Sequence, residues 1–274
     1  MAIQRIYAVY FSATGTTEKV VCSIANQIGA ALKVSVQTIN FTLPGARKEH
    51  HTFKKGDVVI FGTPVYAGRI PNILLPYIQG SFTGNDALAI PVVLYGNRNY
   101  DDALIELRNV LFENGFIPVA GAAFIGEHSF SKTLAANRPD AQDMAIAERF
   151  TAQIVEKIQN LIATPIEPVL VNGSDPIRPR YIPRDLQGNP VNILEVKPKT
   201  NDTCVKCGLC VEVCPMGSID SADPSNVPRA CIKCCACVKK CPTAAKYNDD
   251  EKFLEHRHVL EKGYARRAEP ELFL

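Results

Sequence analysis

The sequence predicts an α/β fold, a doubly wound parallel sheet of five strands over residues 1–163. A proline-rich connector at 164–200, a small cysteine-rich domain at 201–247 and a C-terminal helix and tail at 248–274 follow. Three observations carry this division. Apolar, β-branched runs alternate with helical patterns through the first 163 residues, and such alternation builds βαβ units whose parallel sheet is covered on both faces. Seven prolines lie between Thr164 and Thr200, where they break helices and central strands. Nine of the ten cysteines lie between Cys204 and Cys241.

The elements follow in order. "IQRIYAVYF" is a buried-strand run, and "TTEKVVCSIANQIGAAL" sets Val20, Val21, Ile24 and Ile28 along one helical face, with Cys22 on it or beside it as a packed residue. "KVSVQTINF" alternates as a second strand. "GDVVIFGTPVY" and "ALAIPVVLYG" read as two further buried strands. "DDALIELRNVLFENG" is a helix ending at glycine, "PVAGAAFIGE" a fifth strand, and "PDAQDMAIAERFTAQIVEKIQNLI" a long amphipathic helix. Within the connector, "VLVNG" and "VNILEV" look like short strands. The tail begins acidic and turns basic, which suits a helix dipole.

Composition excludes several roles. A hydrophobic fraction of 46% and a charged fraction of 21% are ordinary for a globular chain. The formal net charge of +2 is too small to argue for nucleic acid or an anionic membrane surface. No apolar run reaches the ~18 residues of a membrane span. The start, "MAIQRIYAVYFSATG", reads as no signal peptide, so a cytoplasmic location is expected.

Ligands of open parallel sheets bind at the carboxyl ends of the strands. After the first strand comes "SATGTT", Ser12 to Thr17, leading into a helix whose free N–H groups suit a phosphate. Alternatively, Ser12 and Thr14 only cap that helix. A Walker lysine and a GxGxxG run are both missing, so neither a Walker nucleotide site nor a dinucleotide pocket is supported. "TPVYAGRIP" follows the third strand and "YGNRNYDD" the fourth. Tyrosines and small residues at these ends either sandwich a flat ring or pack as ordinary turns.

The cysteines repeat one pattern twice. "CVKCGLCVEVCP" and "CIKCCACVKKCP" both follow C-x₂-C-x₂-C-x₃-C-P, the bacterial [4Fe–4S] run in which the fourth cysteine ligates the other cluster. Zinc also takes four thiolates in C-x₂-C pairs, but two full copies with both prolines favour iron–sulfur. The register leaves Cys235 spare, free to pack as a small hydrophobe.

The first 163 residues resemble a flavodoxin, on "FSATGTTEKV", "TPVYAGRIP" and "YGNRNY". The resemblance implies the strand order 2-1-3-4-5. It also implies FMN, its phosphate held by Ser12, Thr14, Gly15, Thr16 and Thr17. Thr63, Pro64, Val65 and Tyr66 would line one side of the ring, and Gly96, Asn97, Arg98 and Tyr100 the other. Many flavodoxins place Trp by the ring. This chain has none, and Tyr66 and Tyr100 take that role by carry-over. His128 of "GEHSFS" either reaches the flavin or is solvated. Residues 201–247 resemble a bacterial two-cluster ferredoxin, a small α+β domain. One [4Fe–4S] cluster would take Cys204, Cys207, Cys210 and Cys241, the other Cys231, Cys234, Cys237 and Cys214. As a whole the chain resembles the flavodoxin–ferredoxin fusion proteins of anaerobic bacteria, including its "PELFL" end.

The resemblance implies electron transfer between an external redox protein, two clusters and FMN. Rival readings are an FMN-dependent oxidoreductase that reduces a quinone-like or nitro acceptor, and a redox-sensing or scaffold subunit. No acid–base pair or nucleophile names a substrate. The cluster domain carries Lys206, Arg229, Lys233, Lys239, Lys240 and Lys246 against Asp202, Glu212, Asp220 and Asp223. That surface is either merely solvated or meets a partner bearing negative charge. The donor, the acceptor, the direction of flow and the oligomeric state, a homodimer included, stay open.

Overall fold

A computed structural model describes residues 2–161 and 167–274. The expected boundary between residues 163 and 164 lies outside the described residues, as does Pro165. Five parallel strands form the main sheet: β1 (Arg5–Tyr10), β2 (Val36–Asn40), β3 (Asp57–Pro64), β4 (Leu88–Tyr95) and β5 (Gly121–Ile125). Their spatial order is β2-β1-β3-β4-β5. In register, Ile6 pairs Val36 and Val58, Val58 pairs Leu88, and Val92 pairs Ala122. A two-residue strand, Ile117–Pro118, pairs the start of β4 just before β5.

Among the described residues seven α-helices accompany the sheet: α1 (Thr16–Leu32), α2 (Leu75–Ser81), α3 (Ala103–Glu113), α4 (Ala141–Gln159), α5 (Leu209–Glu212), α6 (Ala236–Lys239) and α7 (Glu251–Gly263). On one face of the sheet, Val20, Val21, Ile24 and Ile28 of α1 meet Ala147, Phe150 and Ile154 of α4 over Ile6, Ile60 and Ile90. On the other, Leu104, Leu107 and Leu111 of α3 pack with Phe11, Phe41 and Phe61. Cys234 and Ala236 of the cysteine-rich domain and Ala268 of the tail join this second core. The two modules therefore share one hydrophobic cluster. Cys22 packs at the edge of the first core, and burial pushes its thiol up.

Four elements depart from the sequence reading. Neither "VLVNG" nor "VNILEV" forms a strand. The first makes one backbone bond, Val169 N–H to the Pro118 carbonyl at 2.8 Å; the second makes two, Val191 N–H to the Pro183 carbonyl at 2.9 Å and a local one from Val196 N–H to the Ile193 carbonyl at 3.2 Å. Pro168 and Pro190 beside them lack the donors a ladder needs. Helix α2 is not foreshadowed in the sequence pattern; it is short and carries Pro76 in its first turn, where the missing N–H costs nothing. The tail ends as β6 (Glu271–Phe273), antiparallel to β5, and covers that edge of the sheet. The expected tail helix is α7, capped by the Asp250 side chain on Phe253 N–H.

Candidate cofactor sites

At the end of β1 the chain turns through Gly15, at φ +95°, into α1. That left-handed turn is one glycine adopts without strain. The loop's hydroxyls divide. Ser12 Oγ accepts from Glu18 N–H at 3.1 Å and caps the helix. Thr17 is buried against Gly62, where an added Cβ would lie 2.9 Å from the Thr17 methyl. Thr14 and Thr16 instead line a cavity of about 400 Å³ at the strand ends.

Pro64, Val65 and Tyr66 from the end of β3, and Leu94, Tyr95 and Gly96 from the end of β4, line the same cavity. Gly126, Glu127, His128 and Ser129 after β5 complete it. Tyr66 opens a tight turn to Arg69, with Ala67 and Gly68 both at positive φ, the geometry of a hairpin turn. Glu106 of α3 fixes that turn. It accepts from Arg69 Nε at 2.8 Å and from Ile70 N–H at 2.9 Å. His128 Nδ1 accepts from Phe130 N–H at 3.1 Å, and burial lowers the imidazole to about 3, with the charges of His256, Lys239 and Arg98 adding to it. The ring is therefore neutral, with its proton on Nε2. It lies so close to Gly96 that no Cβ fits there.

Three of the ring-side residues expected from the sequence face elsewhere. The Asn97 amide donates to the carbonyls of Tyr264 and Arg266, each at 2.6 Å, and its oxygen accepts from Ala268 N–H at 3.3 Å. Asn97 thus ties down the tail. Arg98 pairs with Asp101 and lies 4.0 Å from the Tyr181 ring centre. Tyr100 is buried, and its hydroxyl donates to Glu271 of β6 at 2.5 Å. Tyr95 and Tyr66 are the aromatic residues at the cavity. Tyr95 ends β4 and opens the loop "YGNRNYDD", whose tyrosines the sequence offers as ring partners, although the flavodoxin resemblance singles out Tyr100 and not Tyr95. Thr63 is fully buried, and its hydroxyl has no partner among the described residues.

The connector straps these loops. Asp102, fully buried, accepts from the Ser174 and Arg178 N–H groups at 3.0 and 2.8 Å and pairs with the Arg178 guanidinium, which lowers its carboxyl. Arg180 donates to the Tyr66 and Ile70 carbonyls, and Tyr181 N–H to the Ala67 carbonyl at 2.9 Å.

The cysteines surround two further cavities. Cys204, Cys207, Cys210 and Cys241 line one of about 340 Å³, the outer one, with Cys207 exposed. Cys214, Cys231, Cys234 and Cys237 line another of about 470 Å³, the inner one. Among the described residues no three Cys, His, Asp or Glu side chains converge on the spacing of a single metal ion. A four-iron cube stands between its thiolates and holds them further apart, which the two cavities suit. Burial pushes the Cys234 and Cys237 thiols up to about 12. Thiolates so buried need a strong positive partner, and iron supplies one. Cys235 also touches the inner cavity, but it packs with Ile193 and Phe253 in a separate cluster, whereas Cys234 belongs to the sheet core.

Tyr66 links the two modules. It lines the cavity at the strand ends and packs against the core that holds Cys234. Burial pushes its phenol well above the usual value, and Cys234, Cys235 and Cys231 lie close enough to add to that effect.

A flavin-binding α/β domain and an iron–sulfur domain on one chain define the class. The sequence model of the flavodoxin domain matches residues 7–95, and that of the 4Fe-4S dicluster domain matches residues 197–252. The chain is thus a flavodoxin–ferredoxin fusion, its cofactors are FMN and iron–sulfur clusters, and its work is redox electron transfer. Among solved structures it is similar to a flavodoxin from the domain Archaea, at 18% identity and a TM-score of 0.40, over 57% of this chain and 100% of that one. A cysteine-to-serine mutant of the flavodoxin from Pseudomonas aeruginosa aligns at 16% identity and a TM-score of 0.37, over 57% and 100% of the two chains. Rubredoxin oxygen:oxidoreductase from Desulfovibrio gigas aligns at 15% identity and a TM-score of 0.40, over 59% of this chain and 38% of that one. No curated protein matches the chain. Among the described residues no helix is long and apolar enough to cross a membrane.

Proposed function

We propose that the chain carries electrons between an external redox protein and FMN through its two [4Fe–4S] clusters in series. The cluster of Cys204, Cys207, Cys210 and Cys241 is the outer one and meets the partner. The cluster of Cys214, Cys231, Cys234 and Cys237 is the inner one and faces the flavin. FMN lies along the strand ends, with its phosphate at Thr14, Gly15 and Thr16 and its ring beside Pro64, Val65, Tyr66, Tyr95 and Gly96. One observation carries this reading: Tyr66 walls the ring cavity and packs against the same hydrophobic cluster that holds Cys234. The exposure of Cys207 supports the outer position of the first set. Clusters take one electron each and a flavin takes one or two, so the flavin end can store a pair. The protein's part is to hold the three groups in line and keep water from the inner pair.

Anaerobic rapid mixing with a reduced one-electron protein donor tests the order. The iron–sulfur absorbance should fall before the flavin bleaches. Flavin bleaching that precedes any change at the clusters would refute it.

A further inference from the structure

Thr14 and Thr16 also line a second cavity, of about 830 Å³, next to the strand-end one, and Gly15 joins them there. Its other walls are strongly basic: Lys19, Arg138, Lys239 and Lys240, against the single carboxylate of Glu127. Two of the cations are neutralised locally. Arg138 pairs with Asp143, and Lys239 pairs with Glu127 while donating to the Ser131 carbonyl at 2.9 Å. Lys19 donates only to a neutral carbonyl, that of Pro139, at 2.7 Å. Lys240 is exposed, and its ammonium makes no hydrogen bond or ion pair among the described residues. About two positive charges therefore remain beside the loop, and a phosphate monoester carries about −1.5 to −2 at neutral pH.

Lys239 and Lys240 do not belong to the flavodoxin module. They stand between Cys237, which lines the inner cysteine cavity, and Cys241, which lines the outer one. Helix α6 and its C-terminal turn place them against the phosphate loop of the other module.

Resting on the FMN reading above, we propose that the cluster domain closes the phosphate end of the flavin site. Lys240, with Lys19 and the Lys239–Glu127 pair beside it, neutralises the FMN phosphate. The loop itself offers hydroxyls and N–H groups but no cation, so the charge comes from across the domain boundary. Anchoring the two lysines between ligands of both clusters makes flavin retention depend on an assembled cluster domain, because folding of that domain is coupled to its metal.

The test titrates cluster-loaded, flavin-free protein with FMN and with riboflavin, which lacks the phosphate, following flavin fluorescence. Wild type should prefer FMN. Lys240→Gln should weaken FMN about tenfold, as loss of one charge-assisted contact does, and leave riboflavin unchanged. Lys240→Arg should restore most of the loss. Unchanged FMN affinity in Lys240→Gln, with the wild-type preference for FMN intact, overturns the lysine assignment alone. Equal weakening of both flavins overturns it too, since the lysine would then serve the fold. A wild type that binds the two flavins equally would instead remove the phosphate-loop reading, and the lysine assignment with it.

Discussion

Replacing Asn97 by glycine separates its two readings, as a wall of the flavin ring and as the anchor of the tail. The structure gives its amide three hydrogen bonds to the segment Tyr264–Ala268, and the residue is 3% exposed. Its φ of +69° is one that glycine adopts freely, so the substitution removes the bonds without backbone strain. Each lost bond is worth about 1 kcal/mol where water can replace the partner, and about 1–3 kcal/mol where the stranded group stays buried. Arg266 is exposed and its carbonyl rehydrates, whereas Ala268 is buried. The greater freedom of glycine in the unfolded chain adds up to about 1 kcal/mol. The expected loss is about 2–4 kcal/mol. Thermal unfolding of the cofactor-loaded protein reads it directly. Limited trypsin digestion reads the tail: Arg266 and Arg267 are exposed, but the protease needs the backbone around them to leave its bonds to Asn97. Asn97→Gly should lower the midpoint and speed cleavage at these sites while FMN affinity changes little. An unchanged midpoint with a large loss of FMN affinity would refute the anchoring role and return Asn97 to the ring.

Three further outcomes follow from the same geometry. Thr14→Val with Thr16→Val should weaken FMN by about 1–3 kcal/mol per hydroxyl lost, in flavin titration, whereas unchanged affinity would leave the phosphate to the backbone alone. Cys235→Ser should keep eight irons per chain, because its side chain packs with Ile193 and Phe253, while Cys234→Ser should lose or degrade the inner cluster; iron assay and paramagnetic resonance of the reduced protein distinguish them. His128 is lowered to about 3 in the fold, against an ordinary value near 6.5, so it stays neutral folded and charges when unfolded. Its contribution is complete above about pH 6.5 and is lost as the pH falls toward 3. Between about pH 7.5 and 5.5 stability should therefore drop by about 1 kcal/mol more in wild type than in His128→Gln, with thermal midpoints across that range as the readout.

The sheet was legible because its signals are local. "TTEKVVCSIANQIGAAL" repeats apolar residues at helical spacing and forms a helix over those same residues, Thr16–Leu32. The runs of β1, β3, β4 and β5 are continuous and apolar, as strands buried on both faces must be. The cysteine pattern is local for a similar reason, since its two copies, eight cysteines in all, occupy 38 residues of chain. What stayed hidden depends on long-range contacts. Asn97 and Tyr100 look like loop residues at a ligand site until the tail, about 170 residues later, arrives to bond them. Glu271–Phe273 alone is too short to read as a strand, and only the open edge of β5 makes it one. Lys239 and Lys240 look like surface charge in sequence. Only the folded chain brings them to the cavity that Thr14, Gly15 and Thr16 line.

Electron flow through the inner cluster is the central claim, and one variant tests it most directly. Cys234→Ser, supplied with excess FMN so that the flavin site stays filled, should be mixed anaerobically with the same reduced protein donor as wild type. The account predicts flavin reduction slowed by an order of magnitude or more, while photochemical reduction of the bound flavin proceeds as before. Flavin reduction by the donor at the wild-type rate, in protein shown by iron assay to have lost the inner cluster, would contradict it.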